Sequence, residues 1–361
     1  MVIKQMVGSV GARWRGHWRG ASLAVLAVLA AVVVLVVLLP RSSPPPKVHV
    51  SPPVTVRLGY VTELADSPVL AGLQMGFIGS GAGDVIVDAV PFTSAVAEAR
   101  ALARGQLDAA YLDPVLAIAV WESAGDSGIK VVAGAASGGV ELVARNGITS
   151  ATQLAGKLVV APAGTASQAA LDWWLRQNDI NADPPGDVTM SGAYLAHAIS
   201  RGQLAAAWEP APQDVQMTAA GGRVLVDEAS LWPGGVFATT VLVVTSKFMA
   251  AHPTAVSGLI SADLRAVQYL DTDPAPADAA AAGQLADADR TTLPKPVLAA
   301  GFAQLRFTVN PLAGTMFAEA QHAAAAGMLR PVSSLRAMAG LFDLGPLDRL
   351  LKAARQPSVG A

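Results

Sequence analysis

Two strand–helix junctions and one strand end carry the residues whose types and spacing suit chemistry. In "VAPAGTASQAALDWWLRQN", residues 160–178, an apolar run meets Pro162, then a small-residue turn, then an unbroken helical pattern. Such a junction aims backbone N–H groups at whatever lies before the helix. With Gly164, Thr165, Ala166 and Ser167 in the turn and Gln168 next, its N–H groups and the Thr165 and Ser167 hydroxyls suit an anion or a polar acceptor; an ordinary N-cap is the simpler use of the same residues. "PFTSAVAEARAL" repeats the geometry, with Thr93 and Ser94 leading a helix. "AAAWEP" places Trp208 and Glu209 at a strand end before Pro210. One reading makes them a cleft wall, the indole face against a ligand and Glu209 gripping a donor. The other packs the tryptophan under a loop and leaves the glutamate in solvent.

Carboxylates recur near strand ends: Glu63 and Asp66 in "TELADS" (62–67), Asp113 before Pro114, and Glu209. An acid/base pair is therefore open, but no nucleophile stands beside an activating histidine. Neither GxSxG, HExxH, a Walker A loop nor GxGxxG falls where its chemistry needs it. The chain has no cysteine, which removes disulfides, cysteine metal sites and a lipid-modified cysteine. Its five histidines are scattered without metal-ligand spacing, so neither a metal nor another cofactor is expected. A net charge of −2 and no basic stripe in the body argue against nucleic acid. The bias is towards binding.

The elements that must position these residues follow a repeating pattern from Val54 onward. Short β-branched runs at 54–60, 84–91, 107–114, 130–135 and 139–146 alternate with alanine-rich helical stretches. A second set runs 158–162, 187–191, 205–210 and 222–228, and the run 238–248 returns the chain to the first set. Residues 252–361 are mostly helical. Alternating strands and helices predict a parallel α/β sheet buried on both faces. At 361 residues two lobes are expected, their strand ends facing across a cleft. "SGG" at Ser137, Gly138 and Gly139 and "WPGG" at 232–235 read as turns.

Ahead of this body, Lys4, Arg13, Arg15 and Arg19 precede the uncharged segment 21–39. Nineteen helical residues span about 28 Å, roughly one bilayer core. The expectation is a cytoplasmic basic segment (1–20), a single-pass anchor (21–39) and a proline-rich linker (40–53), with the body outside the cell membrane. A cleaved signal peptide is the competing reading.

The ordered series "LGY…SPVLAGLQMGF", "ARGQLDAAYLDP", "VVAGAASGGVELVAR", "ITSATQLAGKLVVAP", "AAAWEP" and "GGRVLVDEASLWPGGVFATTVLVV" resembles the periplasmic substrate-binding proteins of ABC importers. It is most similar to the nitrate/sulfonate/taurine class, nearest the aliphatic sulfonate branch. The resemblance implies a type II periplasmic-binding-protein fold, with lobe I at 54–146 and 238–361 and lobe II at 147–237. It implies a non-enzymatic receptor that closes on a small solute and presents it to a permease with a cytoplasmic ATPase. An enzyme on the same bilobal scaffold (pyrimidine-precursor synthesis or dehydration) and a transporter-less sensor are the alternatives. Together, the junction residues read above and those the resemblance carries over place ligand contacts at Thr62, Glu63, Asp66, Ser67, Thr93, Ser94, Asp113, Gly164, Thr165, Ser167, Gln168, Trp208 and Glu209. Three positions depart from the family pattern: Asp66 replaces a histidine, Asp113 a glycine and Asp172 an arginine. All three shift charge towards negative, which disfavours a sulfonate and favours an amine-bearing or zwitterionic ligand. On that reading Glu63, Asp66, Asp113 and Glu209 face the cation, and Thr93, Ser94, Thr165 and Ser167 its acceptor end.

Overall fold

The first strand, β1 (Val54–Val61), runs parallel to β2 (Val85–Phe92), with Val54 opposite Val85 and Val61 opposite Phe92. On its other side lies β3 (Ala109–Leu112), also parallel and buried on both faces. The crossovers are α1 (Ser67–Gln74) and α2 (Ala95–Ala103), and α3 (Pro114–Ala124) leads from β3 to β4 (Ile129–Gly138). These belong to a computed structural model that describes residues 53–79, 85–124, 128–183, 191–289 and 292–360.

After β4 the chain enters a second sheet with β5 (Val140–Ala144), β6 (Val159–Val160), β7 (Ala206–Pro210) and β8 (Arg223–Asp227), ordered β6-β7-β5-β8. Helices α4 (Ala166–Gln177), α5 (Gly192–Ser200) and α6 (Gln213–Ala219) accompany it. The chain then returns through β9 (Ala238–Thr245), which inserts between β3 and β4 and runs antiparallel to both. A helical tail follows: α7 (Ser246–Ala251), α8 (Pro253–Thr272), α9 (Pro274–Asp289) and α10 (Lys295–Gln304). The short edge strand β10 (Leu305–Phe307) completes the first sheet as β10-β4-β9-β3-β1-β2, before α11 (Ala313–Ala325) and α12 (Gly345–Ala353).

Two hydrophobic cores sandwich the six-stranded sheet, one containing Leu58, Leu70, Leu242 and Leu259, the other Leu112, Ile118, Val243 and Met316. The four-stranded sheet has its own, around Leu142, Leu171, Trp174 and Trp208. Each fully buried Leu or Ile contributes about 1.5–3 kcal/mol, so each lobe carries its own stabilisation. The change of sheet falls at Gly138 and Gly139, ahead of the boundary expected at residue 146. Both have positive φ (82° and 73°), where a side chain would be strained. A Cβ on Gly139 would also come within 2.5 Å of Leu305. The "SGG" turn is thus the outward crossing between the sheets.

The two-lobed α/β architecture is as expected, with three corrections. The sheets are mixed, because β9 and β10 enter the first one antiparallel and β5 pairs antiparallel with both β7 and β8. Apolar runs alone do not encode strand direction, since strands buried on both faces look alike in either sense. Neither the expected membrane-spanning helix nor the single-pass placement in the cell membrane that rested on it is found among the described residues. Among the described residues no helix is long and apolar enough to cross a membrane; α8, the longest, carries Asp263, Arg265 and Asp271. Segment 21–39 itself, with 1–20 and 40–52, lies outside the described residues. The strand expected at 187–191 also lies outside them except for Ser191, which instead caps α5 by accepting from the Tyr194 amide at 3.3 Å.

Candidate functional site

A cavity of about 650 Å³ lies where the ends of β1, β3, β6 and β7 face one another. It is lined by Thr62, Glu63 and Asp66 after β1, Thr93 and Ser94 before α2, and Asp113 after β3. From the second sheet come Thr165, Ser167 and Glu209. Nine of the thirteen expected contacts are therefore brought to one cleft. Tyr111, Gln213, Gln216, Glu228, Thr239 and Thr240 join them.

The other four sit elsewhere for local reasons. Ser67 is fully buried and its hydroxyl donates to the Leu64 carbonyl at 2.6 Å. Gln168 turns back along its own helix and its Oε1 accepts from the Gly164 amide at 2.6 Å, so both are spent on the turn. Trp208 is not a cleft wall. Adjacent residues of a strand point to opposite faces, so Trp208 and Glu209 cannot both line the cavity. Glu209 takes the cleft face, while Trp208 is fully buried against Trp174. The Trp208 indole N–H donates to Glu228 Oε2 at 2.6 Å. Asp172 does not line the cleft; it is half-buried along α4. Trp173 stacks on His322 of α11, with ring centroids 4.3 Å apart.

Charge is the distinguishing property of this cavity. Glu63, Asp66, Asp113, Glu209 and Glu228 line it, and among the described lining residues there is no Lys, Arg or His. Asp66 is buried, and its Oδ2 accepts from the Val61 amide at 2.6 Å. Burial, then the neighbouring Glu63, raises its pKa well above the carboxylate range, against the Val61 and Thr240 hydrogen bonds. Burial likewise raises Glu209 well above normal, with Glu63 and Asp214 adding to the effect. Glu228 is pushed to about 7 by burial, opposed by hydrogen bonds from both Trp208 and Trp232.

Asp113 answers what sits before the "GTASQ" helix. Its Oδ2 accepts from the Ala166 amide of α4 at 2.9 Å, and its Oδ1 from the Leu116 amide of α3 at 3.0 Å. The carboxylate therefore serves two helix N-termini, one from each lobe. Thr165 makes no side-chain cap; its hydroxyl donates to the Pro162 carbonyl at 2.7 Å. Despite this support, burial raises Asp113 to about 6.

One acid behind the cleft was not anticipated. Glu98 is fully buried on α2, and neither carboxyl oxygen has a hydrogen-bond partner among the described residues. It packs against Gly59, where a Cβ would stand 2.9 Å from its Oε1. Burial, then Asp66 and Glu63, raises its pKa well above normal. In sequence it looks like the solvent-facing position of an alanine-rich helix. The only signal was the residue it packs against: a glycine inside the mostly apolar β1. Among the described residues no cluster of three or more His, Asp or Glu could hold a metal ion.

A model of the NMT1-like family matches residues 50–285, and the chain belongs to that family. A Brucella abortus protein, provisionally named as a binding protein, is 22% identical over 231 residues. That match spans 63% of this chain and 71% of the relative. Among solved structures, the alkanesulfonate-binding protein of Xanthomonas axonopodis pv. citri, bound to MOPS, is 18% identical with a TM-score of 0.65. The match covers 78% of this chain and 96% of that one. The periplasmic nitrate-binding protein of Synechocystis PCC 6803 is 13% identical with a TM-score of 0.70, covering 84% and 91%. These solved structures share the fold that the resemblance to the nitrate/sulfonate/taurine class of ABC-importer substrate-binding proteins implied.

Proposed function

We propose that this chain is the non-enzymatic solute-binding component of an ABC importer, and that its cleft takes a small organic solute bearing a protonated amine or comparable cation. The observation that carries the ligand class is Glu209. It is 5% exposed and faces the cavity, yet no described residue donates to its carboxyl. A buried carboxyl without a donor is costly, and a cationic ligand group removes that cost by pairing with it. Glu63 and Asp66 add negative charge from the opposite lobe, and no described basic side chain in the lining competes. An anionic ligand would meet carboxyls on every side. Thr93, Ser191, Gln213 and Gln216 surround the rest of the cavity and suit the polar end of a zwitterion. Delivery to a permease with a cytoplasmic ATPase follows from the superfamily's role.

A thermal-shift panel on the full chain tests this reading, using polyamines, betaines and amino acids against alkanesulfonates and nitrate. A ligand at a hundred times its Kd contributes about 2.7 kcal/mol, or roughly 4 °C in Tm for a chain of this size. A shift with amines or zwitterions alone is the expected result. A shift with sulfonates or nitrate and none with cations would overturn it.

A further inference from the structure

We infer that Asp113 is a built-in anion, supplied by one lobe to the other, that occupies the helix N-terminus where an anionic ligand group would dock and so sets the cleft's specificity. Asp113 follows β3 in the six-stranded lobe, whereas Ala166 opens α4 in the four-stranded lobe. The two are 53 positions apart and joined at 2.9 Å. A plain N-cap serves its own helix; Asp113 does that through Oδ1 and spends Oδ2 on the other lobe.

Everything around α4's first turn is arranged for a guest carboxylate. The first amides of a helix have no intrahelical acceptor and carry the positive end of its dipole. Neither local side chain takes that role. The Thr165 hydroxyl is turned to Pro162, and the Gln168 amide oxygen is on Gly164. The acceptor must therefore come from outside the helix, and Asp113 is the group that arrives. Asp113, Thr165, Ala166 and Ser167 all line the cleft, so the occupied position is one a solute would otherwise reach. Removing the carboxylate leaves a helix terminus, the flanking Ser167 hydroxyl and space for a small anion.

The inference rests on this cavity being the ligand cleft, and Asp113→Ala in the full chain tests it. The probes are sodium methanesulfonate and sodium formate, compared with sodium chloride at equal ionic strength. The variant is expected to show a saturable rise in Tm with either anion, at an apparent affinity about tenfold or more above wild type. Asp113→Asn, whose carbonyl oxygen still reaches the Ala166 amide, is expected to stay as insensitive as wild type. Should Asp113→Ala be unfolded in chloride, return of its circular-dichroism signal in formate supports the inference and continued unfolding overturns it. A folded Asp113→Ala that responds to the anions no more than wild type also overturns it. The cation panel on wild type reads the ligand class separately. Gained anion binding beside a wild type blind to cations would sink the ligand reading and leave the role of Asp113 standing.

Discussion

Asp113 and Glu209 line the same cleft from opposite lobes, and burial raises both, but they differ in who holds them. Asp113 has a backbone amide on each oxygen, from two helices and both lobes. Glu209 has no described donor at all. On the proposed function, the difference separates a carboxyl the protein has already used from one it keeps for a visitor. Acidity alone would have put both on the cation, as the sequence reading did. The same contrast divides the two strand–helix junctions. Ser94 caps α2 from its own loop at 3.4 Å, a local solution. Thr165 leaves α4 to be completed from across the cleft.

Substitutions on the two sides should break this comparison in opposite ways. The largest effect belongs to Glu209→Gln, which keeps shape and removes the charge. Affinity for a cationic ligand should fall about 100-fold, the worth of a charge-assisted hydrogen bond of ~2–3 kcal/mol. Apo stability should hold or rise, because a buried unpaired acid is relieved. Calorimetric titration beside a thermal melt separates the two effects. Asp113→Ala should do the reverse to the apo protein, lowering its stability by about 2–3 kcal/mol through loss of acceptors at two helix N-termini. Chemical denaturation without ligand reads that loss.

The pH dependence of stability sharpens the comparison further. Asp263 is raised to about 7 by burial while accepting from the Tyr111 hydroxyl at 2.7 Å, and burial raises Asp214 to about 8. Glu228 stands at about 7 and Asp113 at about 6. The unfolded carboxyls release their protons near 4, so the native state holds protons the unfolded state has lost. Stability is therefore greatest below about pH 4 as far as these groups decide it, and falls as pH climbs to about 8. A Tm series without ligand should slope downward over that range, and Asp263→Asn should flatten it. The smallest change is Ser94→Ala, expected to cost about 0.5–1 kcal/mol at the low end for a cap, given its long bond. A loss near that of Asp113→Ala would erase the distinction between the local and the borrowed cap.

Much of the fold was legible because burial writes itself into composition. Strands β3, β7 and β9 each fall within an expected apolar run, β1 and β4 overrun theirs, and β9 returns to the first sheet as expected. Strand direction was not legible, since a run buried on both faces reads the same either way. At the site, the junction turns were visible as Pro, Gly, Ser and Thr clusters, and nine of the residues flagged there converge on one cleft. Trp208 failed by a single step of strand alternation, and Gln168 because it satisfied its own turn. Glu98 and Glu228 were invisible, because a glutamate in a helix or after a strand normally points to water.

What the sequence determined by itself is the local part: where the chain is extended, where it coils, and which turns end beside polar groups. Those follow from dihedral preference and apolar periodicity, which act over a few residues. What only the tertiary structure decided is which carboxyl meets which amide. Asp113 lies far from Ala166 in the chain, and Glu98 far from Gly59. The first contact is set by how the two sheets bring their helices together, the second by how α2 packs on β1, and burial then fixes how each acid holds its proton. A charge has no fixed meaning until its surroundings have either supplied a donor or left a space for one.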